Sequence, residues 1–88
     1  MTKRAARSGR SHKKLTASRD PVRIRERLGL EVRSLRAQMG LTLEEASKQA
    51  GIHLRHWQRV ESGEGNPTLT TLLKLAKGLG VDVSELLR

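Results

Sequence analysis

The groups best placed to do chemistry are two arginines four residues apart, Arg55 and Arg59, with Gln58 between them and His53 and His56 alongside. At about 100° per residue, a helix that turns Trp57 and Val60 inward projects both arginines roughly 160° away, with Gln58 on the flank. An outward guanidinium is suited to a bidentate grip on guanine O6 and N7 in the major groove of DNA, worth roughly 1–3 kcal/mol of discrimination. The plain alternative is a solvated basic face. His53 and His56 invite a metal, yet they lie three residues apart, no cysteine occurs and no third ligand is near, so no metal and no other cofactor is expected. Nor is an enzyme expected. The sequence has no carboxylate pair, no nucleophile with its base and no phosphate-binding glycine loop, and 88 residues leave little room for a pocket.

Charge supplies the next constraint. Eighteen Lys and Arg against nine Asp and Glu give a net charge of +9. Seven of the bases (Lys3, Arg4, Arg7, Arg10, Lys13, Lys14 and Arg19) fall in the first 19 residues, where no acid occurs; the rest of the chain holds eleven bases and all nine acids. With only Met1, Ala5, Ala6, Leu15 and Ala17 as apolar residues, this stretch cannot bury enough surface to fold alone. It reads as a disordered arm whose partner is a polyanion. A solubilising extension is the bland alternative, and a transit peptide lacks the amphipathic stripe it needs. Residues 1–22 are therefore assigned to a disordered basic N-terminal arm and residues 23–88 to one folded domain. The absence of cysteine points to a reducing cytoplasm, and no run approaches the ~18 apolar residues of a membrane span. A soluble protein with no membrane partner is expected.

The elements that position the arginines are punctuated clearly. Order should start near Asp20 and Pro21, a cap followed by a first-turn proline. Leu28, Val32, Leu35 and Met39 then recur at helical spacing up to Gly40, although Gly29 makes the first turns uncertain. Thr42 and Glu45 form a capping box for a second helix with Leu43, Ala46 and Ala50 inward, stopped at Gly51. A third helix is expected over 52–62, and the stretch 63–67 breaks it. The fourth has Thr68 as cap and Leu69, Leu72, Leu73, Ala76 and Leu79 on its buried side, with Gly80 closing it. Asp82 and Glu85 offer a capping box for a last helix carrying Leu86 and Leu87. The fold class is all-α, a five-helix orthogonal bundle, with Leu35, Trp57, Val60, Leu72 and Leu79 in its core. Helices two and three are short and separated by one glycine turn, which is how a helix-turn-helix reads in sequence.

Leu41-Thr42-Leu43-Glu44-Glu45-Ala46, Gly51-Ile52, Val60-Glu61-Ser62-Gly63 and Asn66-Pro67-Thr68-Leu69 together resemble the phage-repressor and Cro-like helix-turn-helix family. The pattern extends back to Leu28-Gly29 and forward to Glu85-Leu86-Leu87, about two thirds of the chain. The resemblance implies a lambda-repressor-like DNA-binding domain in which the third helix is the recognition helix. It adds His53, Leu54 and His56 to Arg55, Gln58 and Arg59 as contacts to bases, with Leu54 turned toward a thymine methyl. It implies phosphate contacts at the start of helix two (Thr42, Leu43), at Lys48 and along Gly63, Glu64, Gly65 and Asn66. It also pairs Arg36 with Glu61, a structural ion pair between the first helix and the end of the third.

The chain departs from the family pattern at several positions. Leu43 replaces a glutamine, leaving only its amide for a phosphate. His53 replaces the usual Ser or Thr cap. Ala46 and Ala50 replace larger aliphatic residues while Trp57 replaces a branched one, which suggests that the indole fills the space the alanines vacate. The implied function is sequence-specific binding of double-stranded DNA by a transcriptional regulator at an operator, with the arm adding phosphate or minor-groove contacts. An antitoxin-like or coactivator-like module that holds a protein partner on DNA is the alternative. A homodimer through the C-terminal helix is expected, with Val81, Val83, Leu86 and Leu87 at the interface; the same residues would equally close the monomer core.

Overall fold

A computed structural model describes residues 20–87. The seven basic residues of the arm, Lys3 to Arg19, lie outside them. Five helices follow in order: α1 (Pro21–Gln38), α2 (Leu43–Ala50), α3 (Leu54–Glu61), α4 (Leu69–Leu79) and α5 (Val83–Leu86). No strand occurs among the described residues, and no helix there is long and apolar enough to cross a membrane.

Helix α1 starts where Asp20 accepts a hydrogen bond from the Val22 amide at 2.9 Å, with Pro21 in the first turn. Pro21 and Val22, assigned to the arm from sequence, are thus its first helical residues. Gly29 does not disturb the helix. It is buried in mid-helix, and a Cβ added there would lie 2.6 Å from the carbonyl oxygens of both Val60 and Glu61. Glycine at this point lets the backbone of α1 touch the end of α3, which outweighs a helix-propensity cost of about 1 kcal/mol. Leu28, Val32 and Leu35 are buried, but Met39 is 53% exposed. Met39 caps the helix rather than continuing it, so its side chain leaves the apolar stripe.

The capping box of α2 is complete. The Glu45 amide donates to the Thr42 hydroxyl at 3.1 Å, and the Thr42 amide donates to the Glu45 carboxylate at 2.8 Å. Gly51 ends α2 at φ +72°, a left-handed conformation that a side chain would strain. Ala46 and Ala50 are buried and Leu43 is half-buried against the core. The room at the two alanines goes to a different occupant from the one expected. A Cβ on Gly78 would lie 2.6 Å from Ala50 Cβ and 3.1 Å from the Ala46 carbonyl oxygen, so the backbone of α4 itself fills that space. The exchange of volume with Trp57 is not needed to explain the alanines.

Helix α3 begins at Leu54, two residues later than expected. Ile52 is buried in the turn, and His53 occupies the cap without a side-chain hydrogen bond. In α4 the expected stripe is shifted: Leu75, Ala76 and Leu79 are buried with Leu72 half-buried, while Leu69 and Leu73 are 68% and 51% exposed. Four residues at helical spacing (72, 75, 76, 79) fit one narrow stripe, and the two other leucines fall at its edge. Leu86 of α5 is 2% exposed and closes the core, with Val81 and Val83 half-buried against it; Leu87 faces solvent. At this end of the chain Leu86 belongs to the monomer core, while Leu87 and parts of Val81 and Val83 keep apolar surface in solvent. Val32, Trp57, Val60, Leu75, Leu79 and Leu86 are the largest fully buried side chains.

Candidate nucleic-acid interface

Helix α3 is amphipathic in a way that separates support from display. Trp57 and Val60 are sealed in the core, while Arg55, Gln58 and Arg59 are exposed. His53 is exposed at the cap, and Leu54 and His56 are half-buried at the margins of that face. The structure thus brings the base-contact candidates onto one side of one helix, and no carboxylate of α3 shares their face.

The orientation of α3 is set by a polar knot at its C-terminal end. Arg36 Nε donates to Glu61 Oε2 at 2.6 Å and its Nη2 to Oε1 at 3.1 Å, a two-pronged ion pair. Its third nitrogen, Nη1, donates to the Leu41 carbonyl at 2.9 Å. Trp57 Nε1 donates to Glu61 Oε2 at 2.7 Å. One carboxylate therefore ties α1 and the indole of α3 together, and the same guanidinium holds the loop before α2. The hydrogen bonds that Arg36 donates to the Glu61 carboxylate raise its pKa above the ordinary value, more than enough to offset burial, so this cation stays charged. The indole bond went unnoticed in the sequence, although Trp57 and Glu61 stand at the helical spacing of neighbours.

The phosphate candidates divide differently. Gly63 donates its amide to the Val60 carbonyl at 3.1 Å, and Glu64 and Gly65 donate theirs to the Arg59 carbonyl at 3.0 and 3.1 Å. The loop expected to hold a phosphate is folded back on the end of α3, with these donors already engaged. Asn66 is the exposed exception. At the start of α2, the Thr42 amide and hydroxyl both serve the capping box, and Glu44 and Glu45 place two carboxylates in the first turn, unfavourable for an incoming anion. The first-turn amide of Leu43 and the exposed Lys48 remain.

Arg33 was missed. It is exposed on α1 and lines a groove with Arg36, Leu43, Gln58, Glu61 and Ser62, directly beside the display face of α3. The signal was present in the sequence, since Arg33 precedes Arg36 by one helical turn and shares its face.

Comparison with known proteins agrees with this geometry. Residues 32–86 match a family described as helix-turn-helix. The chain is 38% identical over 63 residues to the HTH-type transcriptional regulator y4dJ of Sinorhizobium fredii, an alignment covering 72% of this chain and 82% of that one. It is 41% identical over 64 residues to the control protein C.SmaI of Serratia marcescens, covering 73% and 76%. Its structure superimposes on that of the restriction-modification controller protein C.AhdI of Aeromonas hydrophila with a TM-score of 0.69 at 32% identity, over 70% of this chain and 94% of the other. A left-handed glycine turn between two eight-residue helices, an outward pair of arginines and these relatives lead to one statement: the chain belongs to the phage-repressor and Cro type of the helix-turn-helix family, whose members are DNA-binding transcriptional regulators and not enzymes.

Proposed function

We propose that this regulator occupies an operator by laying α3 in the major groove, where Arg55, Gln58 and Arg59 read base edges with help from His53, Leu54 and His56. The observation that supports this most is the division of α3 itself. Its apolar half is buried to the last atom at Trp57, so its polar half is held rigidly outward. Phosphates fall to Lys48, the Leu43 amide, the Asn66 side chain and Arg33, of which Leu43 and Arg33 share a groove with Gln58. The basic residues Lys3, Arg4, Arg7, Arg10, Lys13, Lys14 and Arg19 add contacts to the backbone or a neighbouring minor groove. Such a protein resides with the nucleoid.

Two copies would sit on half-sites about one DNA turn apart. The C-terminal helix with its exposed cap residue Leu87, beside the exposed pair Leu69 and Leu73 of α4, supplies the apolar surface for that association. The relatives named as a control protein and as a restriction-modification controller support a regulatory role.

Selection from randomised duplexes tests the reading. The full chain should enrich a motif with guanines opposite Arg55 and Arg59, and a double Arg55→Ala, Arg59→Ala variant should enrich none. A role confined to holding a protein partner predicts that the double variant keeps its cellular function, and that result would overturn operator reading.

A further inference from the structure

Arg59, one of the two arginines held outward, lies in the last turn of α3, and its backbone carbonyl accepts three hydrogen bonds. The Ser62 hydroxyl donates to it at 2.9 Å. So do the amides of Glu64 and Gly65, at 3.0 and 3.1 Å. The Gly63 amide goes instead to the Val60 carbonyl at 3.1 Å, with Gly63 in the left-handed conformation at φ +79°. These bonds close the helix in a Schellman turn with Arg59 as its anchor.

Two close approaches hold the turn from outside. A Cβ on Gly63 would lie 3.3 Å from Glu26 Cα, so the backbone of α1 presses on the turn. A Cβ on the buried Gly65 would lie 3.7 Å from Arg59 Cβ, so Gly65 covers the root of a side chain that is otherwise exposed. The opposite end of α3 lacks a comparable fastening, because His53 caps it without a side-chain hydrogen bond.

Helix ends fray, and in a helix of eight residues the last turn is nearly half the length. A reading side chain has to be held within about 0.5 Å of its working geometry, which a frayed turn does not allow. Among the three donors to the Arg59 carbonyl, the Ser62 hydroxyl is the one supplied by a side chain, so substitution removes it and leaves the backbone donors in place.

We propose that Ser62 is a positioning residue for Arg59. Its hydroxyl keeps the last turn of α3 wound and so sets where the Arg59 guanidinium meets its base pair. Arg55, one turn nearer the start of α3, is outside its reach. The assignment rests on base reading by α3 and adds to it the residue that sharpens one of the two arginine contacts.

A double-mutant cycle on operator affinity, with duplexes mismatched at each arginine's base pair, tests the assignment. The pair under each arginine is the position at which the Arg55→Ala or Arg59→Ala chain loses its preference. Ser62→Ala should lower discrimination at the Arg59 pair by about two- to tenfold, the range that one hydrogen bond supplies, and leave the Arg55 pair as in the parent. In the Arg59→Ala background it should have no further effect, whereas in the Arg55→Ala background it should keep its full effect. Ser62→Thr, which retains a hydroxyl, should restore the parent's preference. In the free protein, hydrogen exchange at the Glu64 and Gly65 amides should quicken in Ser62→Ala and slow again in Ser62→Thr. Ser62→Cys, of similar size with a much weaker donor, stands in should the alanine chain not fold.

Loss of preference at both pairs alike would overturn the assignment. So would an effect of Ser62→Ala that persists undiminished in the Arg59→Ala chain, which would place the hydroxyl on DNA itself. Preference at the Arg59 pair that survives Ser62→Ala would overturn it while leaving base reading by α3 in place. An Arg59→Ala chain weakened equally on every duplex would overturn that reading, and the assignment with it.

Discussion

Trp57 donates its indole N–H to the same Glu61 oxygen that receives Arg36 Nε, at 2.7 and 2.6 Å respectively. The largest side chain of the core and the ion pair that fastens α3 to α1 are therefore one unit. Any change at Glu61 acts on both.

Glu61→Ala should leave a buried indole N–H and a largely buried guanidinium without their acceptor. Loss of one partner from a buried pair costs about 3–5 kcal/mol. Since Arg36 and Glu61 keep 16% and 10% of their side-chain surface, the lower end applies. In a domain of this size each kcal/mol lowers Tm by about 4–8 °C. Thermal unfolding followed by circular dichroism checks this, and identical melting of Glu61→Ala, Arg36→Ala and the parent would remove the pair from the account.

Gly29→Ala and Gly78→Ala should both destabilise, although alanine favours a helix by about 1 kcal/mol over glycine. The added methyl would meet backbone carbonyl oxygens in one case and Ala50 in the other, each at 2.6 Å. Overpacking of this kind costs about 1–3 kcal/mol. Urea titration reports the sign. A more stable Gly29→Ala chain would mean that α1 and α3 do not approach so closely.

How much of this was readable beforehand depends on whether a feature is local. Thr42 with Glu45, Gly51, Thr68 and Gly80 mark helix ends through their own backbone chemistry, and each stands where expected. The roles of Gly29 and Gly78 depend on which helix crosses them, a tertiary fact absent from any short window. Leu69, Leu72, Leu73 and Leu75 form so dense a leucine run that several stripes fit it equally well, and only burial singles out the one that leaves Leu69 and Leu73 in solvent. The engaged amides of Gly63, Glu64 and Gly65 could not be foreseen, because composition marks a loop without saying where its donors go.

Replacement of Arg55 or Arg59 by alanine should leave melting unchanged, as both side chains are exposed. Each should weaken the selected operator by about 1–3 kcal/mol and relax preference at one base pair. Fluorescence anisotropy against operator and mismatched duplexes measures this. A uniform loss across sequences would show that the guanidiniums hold phosphate instead.

Arg33→Ala should lower affinity for every duplex alike and reduce the salt slope by about 0.9 for one lost phosphate contact. The measurement is anisotropy over a series of salt concentrations. A change of base preference without a change of slope would place Arg33 at a base edge.

Removal of residues 1–19 takes away seven positive charges. Binding to all sequences should weaken and its salt dependence should flatten, by up to about 0.9 per phosphate released. An unaltered slope would show that the arm takes no part in binding.

Helices α2 and α3 have eight residues each, fewer than the roughly 12–15 at which an isolated helix persists in water. The reading face therefore cannot be excised as a peptide, nor can it outlive its scaffold. A rise in temperature past the midpoint would therefore dismantle the display face and its scaffold in one step.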